Sequence, residues 1–299
     1  MLRMSPRTQK LVIPYLFLLP AILLFLVFMV YPLLKGFQIS FLHFSIVPTR
    51  PSTFVGLKNY IEAFHDPLVW TALKNTLIYT VITVPGQMIL AMLVALLINS
   101  ITHGKAFFRT VYYVPVITSW VIVSLLFLYL FQSPQGLINY FLVDVLHVAS
   151  QPITWLEDPT TAMIPIVLLG IWKGIGWSMI IYLAALASIP NEILEAAAID
   201  GATAWQRFRS VTLPLIGPTV VFTLVMLLIG GFNVFTSVYL ITNGGPMQQT
   251  EVMLSYMYHQ AFQFIDFGYG AALSFLLAAI IITLSVLQMK LLRRPEEIF

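Results

Sequence analysis

Lys173 is a charged residue near the middle of a long apolar run, in the sequence Trp-Lys-Gly-Ile-Gly-Trp at 172–177. A charge at that depth costs about 3 kcal/mol on membrane-insertion scales, so it usually faces an interior cavity or a partner group. Glycines such as Gly174 let a ligand approach the backbone closely, and Trp177 offers a flat apolar face. This mixture suits a sugar ring, which packs its C–H face on aromatic rings while its hydroxyl groups need polar partners.

Lys173 has a second interpretation, which is purely structural. Its ammonium group could pair with backbone carbonyls or with an acidic residue of a neighbouring subunit, because a buried charge needs a partner in either case. The residue types at 172–177 leave both interpretations open.

The stretch Glu195–Pro214 is a polar island between two apolar runs. Its consecutive alanines favour a helix and leave a smooth face that another backbone can approach. Asp200 and Gly201 are expected to end that helix, with Gly201 in the left-handed conformation. Thr203 and Gln206 fit a capping box that opens a second helix, and Leu213-Pro214 is expected to end it. The simplest interpretation is a helical hairpin linker without a partner.

The sequence contains no recognisable catalytic arrangement. Gly104-Lys105 lacks the glycine-rich loop and the Ser/Thr that hold a nucleotide's phosphates and magnesium. None of the five histidines pairs with another histidine or a carboxylate at the spacing of helical metal ligands, and there is no nucleophile motif. We therefore expect no catalytic residue, no metal site and no cofactor in this chain.

The composition is that of a membrane protein, because 59% of residues are hydrophobic and only 9% are charged. Soluble domains carry about 25% charged residues. The absence of cysteine excludes disulfides.

A membrane-spanning helix needs about 20 apolar residues. Six runs are long enough, which predicts an all-α integral membrane protein with a single transmembrane domain over 1–299 and spans near 11–34, 73–99, 112–130, 163–186, 218–240 and 269–289. Pro85-Gly86 and the glycines at 170, 174 and 176 are expected to kink the second and fourth spans.

The placement of lysine and arginine predicts the orientation. With the N-terminus inside, four of these residues, Lys35, Arg50, Lys58 and Lys74, face outward. Because cytoplasmic loops carry the excess of positive charge, both termini and the Glu195 loop are expected to be cytoplasmic. Ten basic residues then face the cytoplasm: Arg3, Arg7, Lys10, Lys105, Arg109, Arg207, Arg209, Lys290, Arg293 and Arg294.

The polar island also carries a family resemblance. The pattern E-A-A-x-x-x-G followed by L-P resembles the loop of permease subunits of binding-protein-dependent ABC importers. Its flanks, I-P-N-E-I-L-E-A-A-A-I-D-G-A, resemble the sugar and glycerol-3-phosphate permeases. F-V-G-L-K-N-Y at 54–60 and T-N-G-G-P at 242–246 resemble the external lid of the same family, so the resemblance covers nearly the whole chain. The residues that it assigns to ATPase coupling, within a cytoplasmic loop at 188–217, are Glu195, Ala196, Ala197, Asp200, Gly201, Arg207, Leu213 and Pro214.

The resemblance implies a fold, partners and a solute path. The fold would be that of a type I importer permease in a bacterial or archaeal cell membrane, among lipids and without nucleic acid. The chain would pair with a second, homologous permease, with an ATPase dimer that binds ATP and Mg²⁺, and with an external solute-binding protein that delivers a sugar-like substrate. The residues matching the family's mid-membrane solute site are Lys173, Gly174, Trp177, Gly231 and Asn233.

Two other classes of protein remain as alternatives. An ion-coupled secondary transporter usually shows an inverted repeat and buried carboxylates at the bilayer midplane. No Asp or Glu lies within any predicted span, which argues against ion coupling. A membrane-embedded enzyme is disfavoured because the catalytic arrangement is missing.

Overall fold

The computed structural model describes residues 6–46 and 51–292, with side chains for 14–46 and 51–291. Arg3, Arg50, Arg293 and Arg294 lie outside the described residues. The α-helices are α1 Pro6–Phe25, α2 Tyr31–Ile39, α3 Lys58–His65, α4 Pro67–Ser100, α5 Lys105–Ile117, α6 Trp120–Leu130, α7 Leu137–Tyr140, α8 Met163–Ala187, α9 Asn191–Ile199, α10 Ala204–Arg207, α11 Leu213–Leu215, α12 Gly217–Phe232, α13 Thr236–Ile241, α14 Met253–Tyr258 and α15 Phe267–Leu292. Single π-helical turns follow α1, α7, α10 and α14, at Leu26–Val30, Phe141–Val145, Phe208–Thr212 and His259–Gln263. Strands β1 Leu42–His43 and β2 Thr53–Phe54 pair antiparallel, with Leu42 opposite Phe54.

The described residues contain five helices long and apolar enough to cross a membrane, or six if the bent pair α5 and α6 is one span. Each predicted span overlaps one of these segments. The first runs over Pro14–Ile39, across the π turn, and the second is all of α4. The third is not straight, because α5 and α6 meet at an angle of 91° around Thr118-Ser119.

The kinks predicted in the second and fourth spans do not interrupt their helices. Helix α4 continues through Pro85-Gly86, and α8 continues through all three of its glycines. A Cβ atom on Gly86 would lie 2.9 Å from the Ile171 side chain, so this glycine allows α4 and α8 to pack closely. The breaks occur instead at Thr118-Ser119 and between Phe232 and Thr236.

The chain divides into two compact units. The smaller comprises the residues up to His65 together with Met257–Leu276, and the larger comprises Asp66–Tyr256 and the residues from Leu277 onward. In the smaller unit, Asn59 of α3 donates through Nδ2 to the carbonyl oxygen of Ser40 at 2.9 Å, which fixes α3 beside the end of the first span.

Helix α8 lies at the centre of the larger unit, packed against α4 and α5, and α12 packs on α4. Small side chains at helical spacing explain the close contact of α4 with α8. Ala91 and Ala95 are completely buried and pack in one cluster with Met179 and Tyr182 of α8. In the larger unit, α4, α5 and α12 therefore all contact α8, and these four helices position the candidate site.

The segment T-N-G-G-P at 242–246 forms a tight turn, in which Gly245 N–H donates to the Thr242 carbonyl oxygen at 2.8 Å. Asn243 and Gly244 have φ angles of 50° and 80°, in the left-handed region. The carboxylate of the buried Glu251 lies where a side chain on Gly244 would be, and Ser255 donates a hydrogen bond to it. Glycine at this position is therefore required both by its backbone angle and by the lack of space.

Candidate functional site

A cavity of about 240 Å³ lies among α4, the bend between α5 and α6, α8 and α12. Helix α4 contributes Tyr79, Thr83 and Gln87, which are spaced four residues apart and so share one helical face. The hydroxyl of Thr83 donates to the carbonyl oxygen of Tyr79 at 2.7 Å, within its own helix. Thr83 therefore uses its hydroxyl proton within α4, whereas the Gln87 amide bonds to another helix.

Gln87 is held in place by α8. Its Nε2 donates to the carbonyl oxygen of Gly170 at 2.9 Å. Gly174 lies one turn further along α8, and a side chain there would occupy the space of the Gln87 amide. Gly174 thus makes room for a polar group of α4. The fixed amide can accept a hydrogen bond through Oε1 from a ligand hydroxyl group.

Lys173 is buried, with 3% of its surface exposed, although it lines the cavity. Its Nζ donates to three main-chain carbonyl oxygens, those of Pro115 at 2.6 Å, Val116 at 3.3 Å and Thr118 at 2.6 Å. It also lies 4.9 Å from the centre of the Trp120 ring, within the range of a cation–π interaction. The structure therefore shows the carbonyl pairing that was one of the two interpretations of this residue.

Helix α12 closes the cavity with Leu227, Gly230 and Gly231. A Cβ atom on Gly231 would lie 2.8 Å from Oγ1 of Thr80, so this glycine lets α12 pack directly on α4. A Cβ atom on Gly230 would have no heavy atom within 4 Å and would extend into open space. The two adjacent glycines thus differ in role, because one serves packing and the other leaves the cavity open.

The second candidate region is the helix pair formed by α9 and α10. Helix α9 ends in a Schellman motif, in which Gly201 N–H donates to the Ala198 carbonyl oxygen and Ala202 N–H to that of Ala197, both at 3.1 Å. Gly201 has a φ of 78°, and nothing lies within 4 Å of where its Cβ would be. The left-handed bend predicted at this glycine is confirmed, and only its backbone conformation demands glycine.

The capping box predicted at the start of α10 is also confirmed. Thr203 Oγ1 accepts from Gln206 N–H at 3.3 Å, and Gln206 Oε1 accepts from Thr203 N–H at 2.8 Å. The helix pair exposes three large apolar side chains, and the two nearest the bend are the most exposed, Ile199 at 85% and Trp205 at 66%, with Ile193 at 41%. Exposed apolar groups on an otherwise polar loop are typical of a protein-binding surface.

Known proteins share the sequence and fold of this chain. Residues 70–296 match the family of binding-protein-dependent transport system inner membrane components. The chain belongs to this family. It is 34% identical to the probable ABC transporter permease protein YurN of Bacillus subtilis, over 97% of this chain and 99% of that protein. It is 36% identical to the lactose transport system permease protein LacF of Rhizobium radiobacter, over 92% of each.

The fold of this permease is shared by a solved transporter. A chain of the bacterial alginate ABC transporter, in complex with an alginate pentasaccharide-bound periplasmic protein, superposes with a TM-score of 0.83. The two chains are 27% identical, and the match covers 96% of each. The type I importer permease fold and the multi-pass membrane location are thereby confirmed, and the E-A-A motif at 195–197 is typical of the family. The permease subunit is not itself catalytic.

The structure brings four of the five predicted solute-path residues of this permease to one cavity, namely Lys173, Gly174, Trp177 and Gly231. Asn233 is not among the residues that line it. Its side chain is exposed and donates to the carbonyl oxygen of Ile229 at 2.8 Å, where α12 ends. A carboxamide at a helix end can satisfy its own backbone in this way.

Sequence reasoning missed the α4 side of the cavity and Trp120. The polar residues Tyr79, Thr83 and Gln87 recur every four positions in an otherwise apolar run, and this spacing was the available signal. Trp120 carried no such signal, because it reaches the cavity only through the bend between α5 and α6. Among the described residues, no group of three or more histidine, aspartate or glutamate side chains is placed to hold a metal ion.

The second helical segment ends at Leu215, one residue beyond the expected end at Leu213-Pro214. The helical path continues from α10 through the π turn Phe208–Thr212 and through α11 to Leu215. Pro214 follows Leu213 just after this π turn, and the helical path passes this proline, which has no N–H to donate, and ends one residue later.

Proposed function

We propose that this permease forms half of the translocation pathway of an ATP-driven importer for a sugar or a sugar-like solute. The observation that carries the proposal is the preformed helix pair α9–α10, which presents Ile199 and Trp205 from a loop of the family's E-A-A type. A rigid bend with two exposed apolar side chains supports docking into a cleft of a partner protein. That partner would be an ATPase dimer that binds ATP and Mg²⁺, since this chain has no nucleotide-binding motif.

The residues proposed for ATPase coupling fall into two groups on the helix pair. Glu195, Ala196, Ala197, Asp200 and Gly201 form the end of α9 and the bend. Arg207, Leu213 and Pro214 lie on the second helical segment. A docked pair held by the Schellman motif and the capping box would move as one body, so motion of the ATPases could reach α8 and α12 directly along the chain.

The cavity is the proposed solute path. Trp177 offers an aromatic face, Gly174 and Gly231 lie in the walls, and the Gln87 amide offers a hydrogen-bond acceptor. Such a site, mostly apolar with a few fixed polar groups, is typical of small-molecule binding. Relatives include the lactose permease LacF and the arabinooligosaccharides transport system permease protein AraP of Bacillus subtilis, which is 35% identical. These names support a carbohydrate as the solute.

A second, homologous permease is the proposed partner within the membrane, and a solute-binding protein is the proposed partner outside. The span Pro14–Ile39 has none of its most apolar window buried within this chain. Its surface is therefore available to lipid and to a second subunit. The alginate transporter was crystallised with its periplasmic protein, which supports an external delivery partner for this permease too.

Purification of the tagged permease from its own host membrane tests the proposed function. We expect a second permease and an ATPase to co-purify in fixed proportion, and solute uptake in vesicles to require ATP and to be inhibited by vanadate. An ion-coupled transporter would behave differently, since its uptake would be abolished by ionophores and would be insensitive to vanadate. That result, or purification without any ATPase, would contradict the proposal.

The proposed orientation places the loop before α5 and the Glu195 loop in the cytoplasm and the segment around Glu157 outside. The chain lacks cysteine, so a single introduced cysteine is the only thiol in it, and its labelling shows on which side of the membrane that residue lies. We expect His103→Cys to resist an impermeant thiol reagent added outside intact cells, and Glu157→Cys, at an exposed position, to react. His103 is preferable to its neighbour Gly104, whose φ of 79° disfavours a side chain. The reverse labelling pattern would overturn the orientation.

A further inference from the structure

We propose that Lys173 is a positioning residue, whose ammonium group closes the broken end of α5 and fixes the cavity wall there without binding the solute. The inference rests on the proposed function only in taking the cavity as the solute path. The contact geometry of Lys173 stands independently of it. All of the residues concerned belong to the larger compact unit.

The hydrogen-bonding capacity of Lys173 is fully used by the protein. An ammonium group has three N–H donors and no acceptor. Three carbonyl oxygens lie 2.6, 3.3 and 2.6 Å from Nζ, which matches the number of donors. The side chain is 97% buried, since only 3% of its surface is exposed. No donor remains for a ligand unless one of these bonds is broken.

The broken span explains why a cation is needed at this place. The last four carbonyl groups of a helix have no partner within the helix. At the end of α5, the hydroxyl of Thr118 donates to the Val114 carbonyl oxygen at 2.9 Å. The Lys173 ammonium group donates to the carbonyl oxygens of Pro115 and Val116. Unpaired carbonyls are especially costly within a bilayer, because no lipid group can donate to them. The positive charge also complements the negative end of the helix dipole.

Lys173 also fixes the start of α6. It bonds the carbonyl oxygen of Thr118 in the bend itself, and its ammonium lies over the ring of Trp120, the first residue of α6. Val116 and Trp120 both line the cavity. One buried ammonium therefore joins α8 to both arms of the 91° bend and sets the position of two wall residues.

The contacts of Lys173 with the bend, which we call the clamp, restrict the class of solute. Lys173 is the only charged side chain among the residues that line this cavity, and its three N–H donors are already bonded to carbonyl oxygens of the bend. The wall offers no free cation to a carboxylate or a phosphate, whereas the Gln87 amide and the aromatic rings suit hydroxyl groups and C–H faces. We therefore infer that this chain's share of the path takes an uncharged carbohydrate. The structural neighbour, by contrast, imports the acidic polysaccharide alginate.

Hydrogen–deuterium exchange on the assembled importer, without solute, tests the clamp. In Lys173→Met, we expect the amides of residues 116–123 to exchange at least ten-fold faster than in the wild type, with exchange in α9 unchanged. The matched control is Trp177→Ala, one turn along α8, which also lines the cavity but, unlike Lys173, donates none of the hydrogen bonds described at the bend. It should reduce uptake and leave exchange at the bend unchanged.

Unchanged exchange at the bend in Lys173→Met would overturn the clamp, whatever happens to uptake. If that variant does not assemble, Lys173→Gln is measured in its place, since it keeps two donors, and the same criterion applies to it. Faster exchange at the bend together with normal uptake by Trp177→Ala would uphold the clamp and refute the cavity as the solute path.

The class of solute is tested by mass spectrometry of the ligand released from the co-purified solute-binding protein. We expect an uncharged sugar or oligosaccharide. A uronate or a phosphate ester would overturn the inference about the solute, and the exchange experiment would still decide the clamp.

Discussion

Gly201→Val is expected to lower retention of the ATPase by the purified permease at least ten-fold, while insertion into the membrane stays normal. The φ of 78° at this residue costs an ordinary side chain about 1–2 kcal/mol, and a β-branched one more. Valine would therefore favour another backbone angle and would break the Schellman motif that aligns α9 with α10. Because about 1.4 kcal/mol changes an equilibrium ten-fold, loss of the preformed bend should be visible in co-purification.

Two control variants separate the backbone angle from bulk at this position. Gly201→Asn should retain most of the ATPase, because asparagine tolerates the left-handed region. Gly217→Ala adds a side chain at another glycine with open space around its Cβ, but without a positive φ, and should have no effect. Wild-type retention of the ATPase in Gly201→Val would refute a role for the bend in docking.

Gly230→Leu is expected to reduce solute uptake more than ten-fold while basal ATPase activity and thermal stability of the complex remain near wild type. A Cβ atom at this position would have no heavy atom within 4 Å, and the residue lines a cavity of about 240 Å³, so we expect leucine to fill part of that cavity. A ligand site cannot accept both a new side chain and the solute. Transport assays in vesicles, with thermal unfolding of the same preparation, measure the two effects.

The control introduces leucine at another exposed position of α12, one that does not line the cavity. Met226 is 43% exposed and is not among the cavity-lining residues, so Met226→Leu should leave uptake unchanged. Gly231→Leu should instead destabilise the complex, because its Cβ would lie 2.8 Å from Oγ1 of Thr80 and would force α12 away from α4. Normal uptake by Gly230→Leu would show that the solute passes elsewhere.

The sequence by itself determined the features that depend on neighbouring residues or on apolar length. Six apolar runs identified the membrane segments, because spanning a bilayer requires a minimum length of apolar chain. The string around Gly201 predicted a left-handed bend and a capping box, and both are confirmed, since these motifs are completed by residues within a few positions of one another. The loop pattern identified the family for the same local reason.

Only the tertiary structure decided what depends on contacts between distant helices. The partners of Lys173 lie 55 to 58 residues away, at a bend that nothing in the apolar pattern of the third span indicated. Gly174 was expected to admit a ligand and instead makes room for Gln87 of another helix. Asn233 satisfies its own helix end, whereas Gln87 lines the cavity. The direction in which a polar side chain faces within a span is set by how the helices pack, and local sequence carries little of that information.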